Sequence, residues 1–282
     1  MERAPVSVII PCFNCSSTIE RAISSVLRQT LLPLEVFLVD DASTDRGETA
    51  KNLVKIKKLF GHSMRMEIIR LENNSGPAAA RNAGWDAATQ PYIVFLDADD
   101  AWHPGKIDIQ YRWMKKHPDI ALTGHPCVLM RAESPAVPLP DAWKAHEVGK
   151  TLLLFSNRFQ TTSVMLRREI PYRFQQGMNY CEDFLLWLQI VLNGHKACRI
   201  DLPLAFLFKP PFGRGGLSRN VWQLSKGEMK AIRMVREKGL ITGSAQLFFT
   251  TYIFLKHMRR FGISLFSSRL FSGSAEREAE QA

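Results

Sequence analysis

Cysteine is scarce in this 282-residue chain. The five present, Cys12, Cys15, Cys127, Cys181 and Cys198, are too few and too scattered for a disulfide framework. Such usage fits a reducing, cytosolic compartment. Cys12-Phe13-Asn14-Cys15 has CxxC spacing, but no second cysteine pair exists to complete a zinc site. No secretory leader is expected, since Val6–Ile10 enters an apolar strand almost at once. The apolar stretch Ala245–Leu255 is eleven residues, too short to span a bilayer. Neither G-x-G-x-x-G after the first strand nor G-x-x-x-x-G-K-S/T anywhere is found, which argues against a conventional dinucleotide or P-loop site.

What is there is a globular composition, 46% apolar and 23% charged. The length suits one large α/β domain or a domain with a substantial appendage. The net charge of +10 is unevenly placed. Between Lys209 and Phe271, twelve Lys or Arg face only Glu228 and Glu237, and the remainder is neutral. A neutral body with a basic tail suggests an anionic surface partner.

The first 125 residues alternate strands and helices. Val6–Ile10 reads as a strand closed by Pro11, followed by a helix from the Ser16–Thr18 hydroxyls to about Gln29. Glu35–Val39, Glu67–Leu71 and Tyr92–Leu96 read as further strands, with helices after Asp45 and over Pro77–Ala88. This order implies a parallel sheet with helices on both faces. Later, a helix is expected from Pro104 to His117, strands over Ile120–Met130 and Thr161–Leu166, and a helix over Tyr180–Leu192. Ala132–Ala145 and the basic Lys209–Arg219 segment read as loops.

The strand Tyr92–Leu96 ends in Asp97-Ala98-Asp99-Asp100. Carboxylates crowded at the carboxyl end of a parallel strand repel one another unless a cation or hydrogen-bond donors compensate, and Mg2+ or Mn2+ take such oxygens. The alternative is that Asp99 or Asp100 caps the next helix. Phe13 after the first strand offers a face for stacking a planar base, and Asp41 after the second offers acceptors. Alternatively, Phe13 is a core residue and Asp40 and Asp41 are caps.

Val8-Ile9-Ile10-Pro11-Cys12-Phe13-Asn14, Val39-Asp40-Asp41-Ala42-Ser43-Thr44-Asp45, Gly76 through Arg81-Asn82-Ala83-Gly84, and Leu96-Asp97-Ala98-Asp99-Asp100 occur in order, followed by Glu182-Asp183 before an amphipathic stretch with Trp187. Together they resemble the family 2 glycosyltransferases of the bacterial surface-polysaccharide type, over roughly residues 5–220. The resemblance implies a GT-A fold: a Rossmann-like α/β domain with a mainly parallel sheet. That gives a catalytic domain over 1–220 and a basic, amphipathic helical extension over 221–282. It implies that Pro11 and Phe13 line the nucleobase pocket and Asp41 bonds the base, usually uracil. Arg81 approaches the donor phosphates or forms an ion pair within the helix. Asp97 holds the ribose or donor sugar, and Asp99 binds a divalent metal, Mn2+ or Mg2+. Asp183, or less readily Glu182, is the general base, although an acidic pair at a helix start also serves as a cap. The implied reaction is inverting transfer of a single sugar from a nucleotide-sugar donor, a UDP-sugar, to a saccharide or lipid-linked acceptor in cell-surface glycan synthesis. The Gln-x-x-Arg-Trp signature of processive synthases is absent, and the Lys209–Arg219 loop lacks the His that serves some relatives as a metal ligand. Lys209, Arg214 or Arg219 could instead close over the diphosphate.

In the tail, Ala245–Leu255 runs into Lys256-His257-Met258-Arg259-Arg260, a pattern suited to an interfacial helix on anionic lipid at the inner face of the plasma membrane. The alternative is a helix packed on the catalytic domain. Nucleic acid is not expected, because the basic residues are interleaved with large aliphatics. Competing readings are a nucleotidyltransferase, which would want a Gly-rich basic amino-terminal loop, and a non-catalytic sugar-nucleotide-binding scaffold.

Overall fold

The computed structural model describes residues 2–61, 64–130, 138–209 and 221–259. In chain order the elements are β1 (Arg3–Cys12), α1 (Ile19–Leu27), β2 (Leu32–Asp40), α2 (Glu48–Phe60), β3 (Arg65–Arg70), α3 (Pro77–Ala87), β4 (Tyr92–Phe95), β5 (Ala101–Trp102), α4 (Lys106–Lys116), β6 (Ile120–Gly124), β7 (Cys127–Leu129), β8 (Ala145–Glu147), α5 (Lys150–Phe155), β9 (Met165–Arg167), α6 (Glu182–Leu192), β10 (Lys196–Ile200), β11 (Ala205–Leu207) and α7 (Val221–Glu237). An eighth helix, α8, covers 243–259. The fold is mixed α/β of the GT-A kind.

The main sheet runs β3-β2-β1-β4-β9-β6-β10-β8. Strands β3, β2, β1 and β4 pair in parallel, as do β6 and β10, whereas β9 is antiparallel to both neighbours and β8 is an antiparallel edge. Both faces are covered, so alternate residues of one strand enter different cores. Val8 and Ile10 pack with α1, α2 and α4 through Ile23, Leu53 and Met114. Ile9 packs on the other side with Trp85, Trp187, Ile232 and Phe249, so α7 and α8 share a core with α3 and α6. The boundary expected at residue 220 lies outside the described residues.

Three expectations need correction. Pro11 does not close β1, which continues to Cys12. Proline withholds only its own N–H, and the Cys12 carbonyl still accepts from the Asp41 N–H at 2.8 Å. Ile120–Met130 is not one strand. It breaks at His125-Pro126, because proline restricts the preceding residue, and β7 joins a second sheet ordered β5-β11-β7. Thr161–Leu166 begins with a 3-10 turn, Thr161–Ser163, and only then becomes the short strand β9.

Helix α3 lies unusually close to the sheet. A methyl group on Gly84 would sit 2.6 Å from Ile9 Cγ2 and 3.2 Å from Val39 Cγ2. The small face of this helix is therefore a packing requirement, and it brings Arg81 to the carboxyl-terminal rim of β1, β2 and β4.

Candidate active site

The loops after β1 and β2 are laced together by Asn14. Its N–H donates to Ser43 Oγ at 3.0 Å, its side-chain oxygen accepts from the Thr44 N–H at 2.8 Å, and its amide donates to Thr44 Oγ1 at 3.2 Å. Asn14 takes a left-handed backbone (φ 47°), which asparagine tolerates well. The turn leaves Phe13 44% exposed at the rim instead of in the core, with Pro11 half-buried beneath it. Asp41 is buried, and its two oxygens accept the backbone N–H groups of Ser75 and Gly76, each at 2.8 Å. The carboxylate thereby fixes the start of α3 against the end of β2. Gly76 adopts φ 85°, ψ 167°, a conformation closed to other residues.

Arg81 is the hub. It is buried, and its guanidinium donates through Nη2 to Asp97 Oδ1 at 2.8 Å and through Nη1 to Glu182 Oε1 at 2.9 Å. Burial alone would weaken its hold on the proton, but Asp97 and Glu182 outweigh that and keep it charged. The ion pairs of Arg81 do not lie within its own helix, as one expectation had it, but link helix α3 to the end of β4 and to the start of α6.

Asp97 and Asp99 are each about a third exposed, at 34% and 30% of the side chain. Asp99 Oδ2 meets Lys209 Nζ at 2.8 Å, and the Asp99 carbonyl accepts from Arg21 Nη2 at 2.5 Å. The same Arg21 guanidinium lies 3.8 Å over the Phe208 ring, so the residues leading into 210–220 are pinned to the acidic turn. Arg214 and Arg219 lie outside the described residues. Asp100 points inward. Burial, with Asp97 and Asp99 adding repulsion, pushes its carboxyl up to about 8.

Glu182 and Asp183 open α6, and the structure separates their environments. Glu182 is neutralised by Arg81. Asp183 is only partly buried and has no such partner among the ion pairs of the described residues. Burial, then the neighbouring Glu182, raises its carboxyl to about 7, against hydrogen bonds from Phe184 and Asn157 and the charge of Arg81. Its Oδ1 accepts the Phe184 N–H at 2.6 Å, while Oδ2 accepts from Asn157 Nδ2 at 3.1 Å and Thr161 Oγ1 at 3.4 Å. The rim therefore holds one carboxylate fixed as a counter-ion and one poised to exchange a proton near neutrality. Arg21, Asn157 and Thr161 escape sequence reasoning, because their partners lie 78, 26 and 22 residues away.

Cys12 and Cys15 are buried free thiols, and among the described residues they belong to no group of three or more His, Cys, Asp or Glu side chains that could hold a metal ion.

The model of glycosyl transferase family 2 matches residues 7–159. A Bacillus subtilis (strain 168) protein named as a teichuronic acid biosynthesis glycosyltransferase, TuaG, is 30% identical over 228 residues, 78% of this chain and 84% of its own. The Escherichia coli UDP-Glc:alpha-D-GlcNAc-diphosphoundecaprenol beta-1,3-glucosyltransferase WfgD is 28% identical over 67% of this chain and 71% of its own. Among solved structures, Staphylococcus aureus TarS 1-349 in complex with UDP-GlcNAc superposes with a TM-score of 0.68 at 17% identity. The match covers 92% of this chain and 73% of that one, a likeness of fold.

Proposed function

The chain belongs to glycosyl transferase family 2 and is a glycosyltransferase. From that membership we propose that it moves a single sugar, with inversion, from a UDP-sugar to a saccharide or lipid-linked acceptor in cell-surface glycan synthesis. The observation that carries this reading is the Arg81 bridge. It sets an open acidic rim, Asp97 and Asp99, beside a separate carboxylate, Asp183, which forms no ion pair among the described residues.

In this reading Phe13 stacks on the nucleobase beside Pro11, and Asp41 offers the acceptor capacity left after its two backbone hydrogen bonds. Asp97 orients the ribose or donor sugar. Asp183 takes the proton of the acceptor hydroxyl as that oxygen attacks the anomeric carbon. The nucleoside diphosphate departs from the opposite face, which inverts the configuration. Arg81 engages Glu182 in an ion pair, so that the base is Asp183 rather than its neighbour.

Among the described residues no three His, Cys, Asp or Glu side chains converge on one point. A divalent ion that bridges a diphosphate needs only one or two protein carboxylates, with phosphate and water supplying the other oxygens. Asp99 fits that part: it is accessible, and it already accepts a cation in Lys209. A metal held there would supply Lewis-acid stabilisation of the leaving diphosphate.

The acceptor reading is supported by α8. Leu247, Phe248, Phe254, Leu255 and Met258 lie exposed on one side of it, while Phe249 and Ile253 enter the core. No helix among the described residues is long and apolar enough to cross a membrane. Peripheral contact of this face with anionic lipid, from the cytoplasm, suits a lipid-linked acceptor.

The test is thermal unfolding with UDP, GDP and UDP-GlcNAc, with and without Mn2+. Stabilisation by uridine nucleotides that requires the metal is expected. A protein indifferent to all of them overturns the donor assignment.

A further inference from the structure

Asn157 sits in the segment between α5 and the 3-10 turn, and its amide has only one possible orientation. Its Oδ1 accepts the Phe159 N–H at 3.1 Å, and only oxygen can accept there. The NH2 end must therefore face Asp183, where Nδ2 reaches Oδ2 at 3.1 Å. Phe159 is itself buried, and its carbonyl accepts from Trp187 Nε1 at 3.1 Å. Trp187 belongs to α6, the helix that carries Asp183. The amide is thus clamped to the element whose carboxylate it touches, a closed arrangement that a simple helix cap does not need. Thr161 Oγ1 adds a second, longer contact to the same oxygen.

We propose that Asn157 is a positioning residue for the transfer reaction: it holds Asp183 Oδ2 by a donor that cannot reverse, fixing the side chain's rotamer for approach to the acceptor hydroxyl. The inference rests on the reading of Asp183 as the base. A donor aimed at a carboxylate favours its ionised form, so Asn157 also opposes what burial and Glu182 do to Asp183. The other groups facing Asp183 are Cys181 and Glu182 at the start of its own helix, Arg81 from α3, and Thr161 from the 3-10 turn. None of them supplies an N–H donor to Oδ2.

The titration itself needs neither donor nor acceptor. Full-length protein with carbon-13 at the Asp carboxyl is titrated by NMR, and the Asp183 resonance is assigned by its loss in Asp183→Asn. In Asn157→Ala the titration midpoint should move up by about one pH unit, while UDP binding with Mn2+ stays at the wild-type level. Should that variant fail to fold, Thr161→Val should move the midpoint in the same direction by less. An unmoved midpoint in a folded Asn157→Ala protein overturns the proposal. Failure of the base reading looks different: Asp183→Asn would still release UDP from the nucleotide-sugar in the presence of acceptor, whatever the titration shows.

Discussion

Arg81 Nη1 and the Glu182 carboxylate, 101 residues apart in the chain, meet at 2.9 Å in the interior, and the same guanidinium holds Asp97. Removing one member of a buried ionic cluster leaves the others unpaired, which costs roughly 3–5 kcal/mol. Arg81→Met should lower the urea midpoint accordingly and abolish donor binding. Arg81→Lys should recover only part of the stability, because an ammonium lacks the planar fork that reaches both carboxylates.

Asp183→Asn should bind UDP normally and lose transfer by roughly 100- to 10,000-fold, the usual worth of a positioned base. It should also be the more stable protein in alkali. A carboxyl held at about 7 in the fold, well above its ordinary value, binds its proton more tightly folded than unfolded. Ionising it thus costs stability as pH rises from about 4 to about 7, and the cost is complete above that. Melting curves of the two proteins should coincide at pH 4 and separate at pH 8, by about 2–4 °C for each kcal/mol recovered.

On the proposed reading, Lys209 and a divalent ion compete for Asp99. The pair is partly exposed, 52% and 30% of the side chains, so its worth is at most about 1 kcal/mol. Lys209→Met should tighten Mn2+ binding in calorimetry by up to about fivefold, and Asp99→Asn should remove the metal's effect on UDP binding. Equal Mn2+ affinity in Lys209→Met and wild type would show that the lysine does not guard the site.

Far from the rim, Glu35 accepts from Ser7 Oγ at 2.6 Å, Thr89 N–H at 2.9 Å, Thr89 Oγ1 and Arg65 Nη1 at 2.8 Å. Burial would raise its carboxyl, but these donors prevail and hold it at about 2. A depressed value contributes stability above the ordinary pKa and loses it as pH falls from about 4.5 to about 2. Glu35→Gln should cost about 2–3 kcal/mol near pH 7 and almost nothing at pH 2, by denaturant titration at each pH.

Replacing Leu247, Phe254 and Leu255 together with Ser should end co-sedimentation with vesicles rich in anionic lipid while leaving the melting temperature within a degree or two, since all three are exposed. Sedimentation as in wild type would leave the acceptor reading without its membrane component.

The acidic rim was legible because a parallel strand's direction alone decides where its terminal carboxylates stand. Asp97 and Asp99 follow β4, and Asp41 follows β2, with no tertiary knowledge needed. The partners of Arg81 were not legible, since a pair within the helix was the ion pair expected and nothing local announces Glu182, 101 residues away. Asn157 was invisible: a single asparagine in a polar stretch carries no periodicity. The break between β6 and β7 had a signal in Pro126, which a continuous apolar reading overrode. The direction of β9 could not be inferred, because three apolar-rich residues pair equally well either way until their neighbours are in place.

The position of β9 also dictates an order of assembly. It is the seam between β4 and β6, yet it is made after both, beyond the residue-159 limit of the family match. A growing chain therefore carries β4 as an open edge until residue 167 has left the ribosome, and Asp183 docks later still. The half that would grip a nucleotide-sugar is thus synthesised without the group that would spend it. The two are completed late and in succession, by β9 and then by α6, so a polypeptide stalled before β9 lacks the carboxylate that the proposed transfer requires.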